Sequence, residues 1–322
     1  LRKRPMGRVV KPLREAGAMF EYLEETERLP LSLSGRLLKS IHYQSPVASA
    51  QVKSALLFAG LVSGETSILS EPRQSRDHTE RILESVGVPI HERNHQGRWE
   101  VRMDDPPSRL NPFEIDIPGD FSSAAFFIGL ATLGGVKGGL TLENVGLNPT
   151  RTGLIDVLLR MGARIQISES ISRDLREVIG SIEISPSELS GTEIRPEEVP
   201  CMIDEFPLLA ILASRAEGVT KIRGVGELRF KESDRISTLV HNMRTIGLNV
   251  EEFEDGLEIV GTEIPLKGKV YSQGDHRIAM AFGILNALPN NQIQIEGAAA
   301  VSVSFPGFWS VLSDLQKELN HS

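Results

Sequence analysis

One cysteine, Cys201, in 322 residues leaves no disulfide within the chain and no cysteine cage for zinc or an iron–sulfur cluster. Positive charge is also scarce: 35 Lys and Arg stand against 43 Asp and Glu, for a formal net charge of −8. Nucleic acid and anionic membranes call for a basic surface, so neither is an expected partner. An anionic ligand would have to be held by a local cluster instead. Long apolar runs are missing as well. The longest, residues 124–136, falls short of the roughly 20 needed to span a bilayer. The basic start Arg2-Lys3-Arg4-Pro5 leads into no signal-peptide core, and the chain opens on Leu1 rather than Met, so upstream sequence is expected to be missing. No G-x-S-x-G elbow is present. Gly224-Val225-Gly226 lacks the third glycine of a dinucleotide fingerprint, and residues 261–269 have the wrong spacing for a Walker loop. These absences suggest a cytoplasmic protein with no metal framework.

What is present is a repeat. Segments of helical apolar spacing end in glycine at residues 9–18, 78–88, 152–163 and 235–248. The closing glycines, Gly17, Gly87, Gly162 and Gly247, suit left-handed C-terminal caps. A second helical pattern, rich in Ala and Leu, occupies residues 50–60, 123–133, 207–216 and 277–288. β-rich runs follow at residues 66–69, 140–142 and 220–223. The unit reads strand, helix, strand, helix, strands. This is an α/β chain, with a domain boundary expected near Ile117-Pro118-Gly119-Asp120, giving domains 1–116 and 117–322. Asn94-His95-Gln96-Gly97 reads as a hairpin turn that exposes His91 and His95 rather than pairing them on zinc.

Polar clusters stand at the expected helix starts: Arg2-Lys3-Arg4, Ser49-Ala50-Gln51, Ser75-Arg76-Asp77, Gly119-Asp120-Phe121-Ser122, Asp204-Glu205, residues 231–235 and Asp275-His276-Arg277. Helix N-termini favour anions, so several facing one cleft would hold phosphates or carboxylates without a phosphate loop. Several of these clusters also have a plainer reading. Ser233 would cap a helix with Asp234 in its first turn, Ser122 and Ser123 would cap another, and Asp204-Glu205 would cap a third or supply a general base. Cys201 reads as a small buried apolar residue rather than a nucleophile.

Taken together, certain segments resemble the enolpyruvyl transferase family. They are Arg4-Pro5-Met6-Gly7, residues 49–57, residues 119–125, Asn148-Pro149-Thr150-Arg151, Asp204-Glu205-Phe206-Pro207, Lys231-Glu232-Ser233-Asp234-Arg235, Asp275-His276-Arg277 and Ser304-Phe305-Pro306-Gly307. They occur in family order over essentially the whole chain. The resemblance implies two lobes of repeated βαβαββ units, the N-terminal one incomplete, with helix starts directed at the cleft between them. It also implies transfer of the enolpyruvyl group of phosphoenolpyruvate to the 5-hydroxyl of shikimate 3-phosphate, a step towards chorismate and the aromatic amino acids, with no cofactor.

By this resemblance Arg4, Gln51, Arg235 and Arg277 contact phosphoenolpyruvate. Ser49, Ala50, Gln51, Ser75, Arg76, Lys231 and Asp204 contact shikimate 3-phosphate. Asp204 would receive the proton of the attacking hydroxyl, Glu232 would protonate the methylene carbon and later take that proton back, and His276 would assist. Family members extend upstream of Leu1 with a Lys-Ser-Arg cluster and an Asn/Gly-rich loop, and some carry Lys where this chain has Val303. Little or no activity is therefore expected of these 322 residues alone, acting as a monomer. The alternatives are the sister branch that uses a UDP-N-acetylglucosamine acceptor, and a non-catalytic anion-binding fragment.

Overall fold

The computed structural model describes residues 2, 4–171 and 177–320. Lys3 of the N-terminal basic cluster lies outside them. The chain divides into two compact units. The first runs to Asp116 and also takes in Glu177, and the second comprises Ile117–Ile171 and Val178 onward.

In the first unit α1 (Gly7–Glu15) leads to a hairpin of β1 (Met19–Tyr22) and β2 (Leu31–Ser34). A full repeat follows: β3 (Ile41–Gln44), α2 (Ala50–Ser63), β4 (Ser67–Glu71), α3 (His78–Ser85), β5 (Ile90–His95) and β6 (Arg98–Met103). Its sheet has the order β3-β4-β6-β5, with β3 parallel to β4 and the other pairs antiparallel. His95 pairs with Arg98 across a two-residue turn at Gln96-Gly97, where both residues have positive φ, and His91 and His95 are exposed.

The second unit repeats the plan. It contains α4 (Phe121–Thr132), β7 (Leu140–Gly146), α5 (Gly153–Arg160), β8 (Arg164–Ile171) and β9 (Val178–Ser185). Next come α6 (Phe206–Ala213), β10 (Val219–Ile222), α7 (Arg235–Thr245), β11 (Asn249–Phe253) and β12 (Gly256–Val260), then β13 (Lys267–Tyr271), α8 (His276–Ala287), β14 (Gln292–Glu296) and α9 (Phe308–Asn320). The sheets β7-β9-β8 and β10-β12-β11 copy the order β4-β6-β5. The opening parallel strand of the repeat shrinks here to single bridges, Gly119 to Val145 and Glu193 to Lys221. It returns at full length as β13 beside β14.

Two classes of helix explain the packing. α4, α6 and α8 are apolar on every face, and all eight residues of α6 are buried. Such a helix is stable only when surrounded. These three pack on one another, and Phe126 and Phe127 of α4 meet Phe308 of α9 with ring centroids 5.9 and 5.7 Å apart. The amphipathic α1, α3, α5 and α7 each close on a glycine of φ +92° to +112°. In all four, the residue after that glycine donates its N–H to the carbonyl five positions back: Ala18 to Leu13, Val88 to Leu83, Ala163 to Leu158 and Leu248 to Met243. This double-bonded cap ends each helix three residues earlier than the apolar spacing suggests, because the last turn is spent on the cap.

Gly283 lets α8 approach α9 closely, for a β-carbon there would lie 2.8 Å from Trp309 Cζ3 and 2.9 Å from Cη2. Gly283→Val should therefore destabilise the protein by about 1–3 kcal/mol, read as a lower midpoint in urea unfolding, with little change in helical circular dichroism.

Candidate active site

In the second unit the charged residues gather at the starts of α6, α7 and α8. Asp234 caps α7 by accepting the Ser237 N–H at 3.0 Å, so the cap is Asp234 and not Ser233. Asp275 caps α8 by accepting the Arg277 N–H at 2.9 Å. At α4 the cap is Asp120, which accepts the Ser123 N–H at 2.8 Å, and Ser122 is released for another use. Glu205 occupies the cap position of α6 but makes no side-chain cap bond. These outcomes correct the expected roles of Ser233, Ser122, Ser123 and Glu205. A carboxylate one residue before the first turn reaches an N–H two or three residues on, so it takes the cap from a neighbouring serine.

Arg235 is the centre of the cluster. It is 1% exposed, and its Nε donates to Asp275 Oδ2 at 2.7 Å while Nη2 donates to Glu232 Oε2 at 2.7 Å. Asp275 is fully buried and holds both the guanidinium and the start of α8. Arg235 Nη1 is buried with no hydrogen-bond acceptor among the described residues, and lies 3.7 Å from Asp204 Oδ1. Arg277 Nη2 lies 3.7 Å from the other oxygen of Asp204, and its Nη1 donates to the Asp204 carbonyl at 3.1 Å. Asp204 thus sits between two guanidinium groups. His276 is half-buried; burial, followed by the adjacent Arg277 charge, lowers its pKa and keeps the ring neutral near pH 7. Lys231 Nζ lies 3.9 Å from Glu227.

Behind this cluster lies a network that the sequence did not disclose. Ser122 Oγ donates to Glu205 Oε1, and Arg151 Nη2 reaches Ser122 Oγ at 2.5 Å. Burial raises the Glu205 pKa, opposed by Arg277, whose Nη1 is 3.7 Å from Oε1. Residues 122, 151 and 205 lie far apart in the chain, so no local spacing links them. Cys201 is half-buried, and burial with Asp156 nearby pushes its thiol pKa up, away from that of a reactive thiolate.

In the first unit Ser49, Ala50 and Gln51 open α2, while Ser75 and Arg76 follow β4. Ser49 makes no side-chain cap; its hydroxyl donates to Gln51 Oε1 at 3.3 Å. Beneath them Lys53 Nζ joins Glu71 Oε1 at 3.1 Å and Glu80 Oε1 at 2.6 Å, all three 4% exposed or less. Burial acts to lower the Lys53 pKa, but the two carboxylates outweigh it and raise it overall. Burial pushes Glu80 to about 7, against an opposing effect of Lys53. A lysine among buried apolar positions of α2 was the available sequence signal for this triad. Arg4 is exposed, three residues before α1. The ligand atoms of Asp77, His78 and Glu177 fall within 4.8 Å of one another, but Arg81 Nε lies 2.9 and 3.6 Å from the two carboxylates and already supplies positive charge there.

Solved structures share this architecture. The enolpyruvyl transferase NikO of Streptomyces tendae matches with a TM-score of 0.74 at 18% identity, over 97% of this chain and 71% of that one. At that identity the match defines the fold class alone, an enolpyruvyl transferase fold. EPSP synthase of Acinetobacter baumannii matches with a TM-score of 0.82 at 39% identity, over 98% of this chain and 71% of that one. The 3-phosphoshikimate 1-carboxyvinyltransferases of Desulfitobacterium hafniense and Bacillus subtilis are 44% and 43% identical over 98% of this chain, which spans 71% and 72% of theirs. The profile of EPSP synthase (3-phosphoshikimate 1-carboxyvinyltransferase) matches residues 1–312, and the chain belongs to that family.

Two stability outcomes follow from these clusters. Asp275→Ala should cost about 3–5 kcal/mol in chemical unfolding, since it strands the buried Arg235 charge and uncaps α8. The second concerns pH. Between its ordinary 4.5 and about 7, Glu80 ionises in the unfolded chain but stays protonated in the folded one. Its contribution therefore favours the folded state at low pH and declines as pH rises through that window. Melting temperatures at pH 5 and pH 8 should show a smaller fall for Glu80→Gln than for the parent.

Proposed function

We propose that the gene product carrying this chain transfers the enolpyruvyl group of phosphoenolpyruvate to the 5-hydroxyl of shikimate 3-phosphate, releasing phosphate, through the residues described above. The observation that carries the reading is Asp204 held between Arg235 and Arg277, with Arg235 Nη1 buried and still short of an acceptor. Two fixed guanidinium groups beside one carboxylate can hold a substrate that bears phosphate and carboxylate while a proton is taken from a hydroxyl. Arg4, Gln51, Arg235 and Arg277 bind phosphoenolpyruvate. Ser49, Ala50, Gln51, Ser75, Arg76, Lys231 and Asp204 bind shikimate 3-phosphate.

Asp204 accepts the proton of the 5-hydroxyl as its oxygen bonds to C2 of phosphoenolpyruvate. Glu232 delivers a proton to C3, completing a tetrahedral adduct. Glu232 then takes a proton back from the C3 methyl group as phosphate leaves C2, which restores the double bond. The neutral His276 ring serves as a hydrogen-bonding assistant. We read residues 1–116 and 117–322 as the two lobes of a monomer acting on small molecules in the cytoplasm. Among the described residues no helix is long and apolar enough to cross a membrane.

The test is phosphate release from phosphoenolpyruvate by the gene product that carries this chain, with shikimate 3-phosphate and UDP-N-acetylglucosamine offered separately. Turnover with the UDP-sugar alone would overturn the acceptor assignment. Asp204→Ala and Glu232→Ala should each lower kcat by about a hundredfold or more in folded protein, the range expected for a lost general acid or base.

A further inference from the structure

Glu71, at the end of β4, gathers four donors from two segments. Its Oε2 accepts the Ser49 N–H at 3.1 Å. Its Oε1 accepts the Ser75 N–H at 2.7 Å, the Ser75 hydroxyl at 2.9 Å and Lys53 Nζ at 3.1 Å. Lys53 Nζ also reaches the Ser75 carbonyl at 3.4 Å. One buried carboxylate therefore ties the residue before α2 to the loop after β4.

We propose that Glu71 is a positioning residue that sets Ser49 and Ser75 at the spacing and orientation needed to receive a phosphate monoester, acting through them without touching the substrate. This rests on the assignment of both serines to shikimate 3-phosphate. Three features support it. Ser49 stands where a helix-capping serine would, yet its hydroxyl does not cap α2, so the side chain is not committed to holding the helix. Only an acceptor fits the position of Glu71, because every hydrogen-bonding neighbour it has here donates. Lys53, itself anchored by Glu80 at 2.6 Å, supplies the opposite charge that a carboxylate buried this deeply requires.

Substitution by glutamine is informative because the side chain keeps its shape. With three donors at Oε1, the carbonyl oxygen of the amide belongs there, and the NH2 group then faces the Ser49 N–H, donor against donor. In the gene product carrying this chain, Glu71→Gln should raise KM for shikimate 3-phosphate, and its Kd by calorimetry, about tenfold. KM for phosphoenolpyruvate and kcat should stay within about twofold. Equal changes for both substrates, or no change, in a variant that remains folded would reduce Glu71 to a core ion pair and overturn the proposal. If Glu71→Gln does not fold, Lys53→Arg keeps the cation but displaces it and should give the same split between substrates; an absent split overturns the proposal too. Should the parent protein not use shikimate 3-phosphate at all, the substrate assignment fails on its own. Positioning is then read from a titration with inorganic phosphate followed at the Ser49 and Ser75 amides by NMR. Weaker phosphate-induced shifts in Glu71→Gln support it, and unchanged ones refute it.

Discussion

Helices α4, α6 and α8 are apolar on all sides and must be buried on all sides, which leaves their ends as the only places where charge can stand. Much of the second unit follows from that constraint. Amphipathic helices and three-stranded antiparallel sheets enclose the apolar bundle, and Asp120, Glu205 and Asp275 are displaced to its N-terminal edge. Helix starts present N–H groups and partial positive charge, so the core and the charged cluster arise from one arrangement.

The cluster at those starts works by mutual restraint. A guanidinium as deeply buried as that of Arg235 is tolerable only because Asp275 and Glu232 neutralise it, and Asp275 spends its second role holding the first turn of α8. The side chain is thereby fixed before any ligand arrives, which reduces the ordering that binding would otherwise require. In the first unit the Lys53, Glu71 and Glu80 triad does the same for backbone, fastening two loops through one carboxylate.

The repeat and its closing glycines were plain in the sequence because they depend on local rules: apolar spacing, a cap, a positive φ. Gly17, Gly87, Gly162 and Gly247 all have left-handed backbone, and the exposed hairpin histidines His91 and His95 stand where the turn residues put them. Capping was harder to read, since Ser122, Ser123 and Ser233 each compete with a nearby aspartate and three-dimensional reach decides the winner. Glu205, Ser122 and Arg151 gave no signal as a group, for residues 83 and 29 positions apart become neighbours only through packing. The family resemblance pointed to Arg235 and Arg277 as anion ligands, but not to the near-complete burial of one and the partial exposure of the other.

The repeat of strand, helix, strand, helix and strands, the positions of the helix starts and the residue types standing there follow from the order of amino acids alone. Periodicity, glycine conformation and N-terminal polarity are properties of a few adjacent residues. Tertiary packing sets which carboxylate pairs with which cation, how deeply each pair is buried and which serine hydroxyl is spared from capping a helix. Those outcomes depend on distances between segments separated by tens of residues, and those distances exist only once the apolar helices have packed.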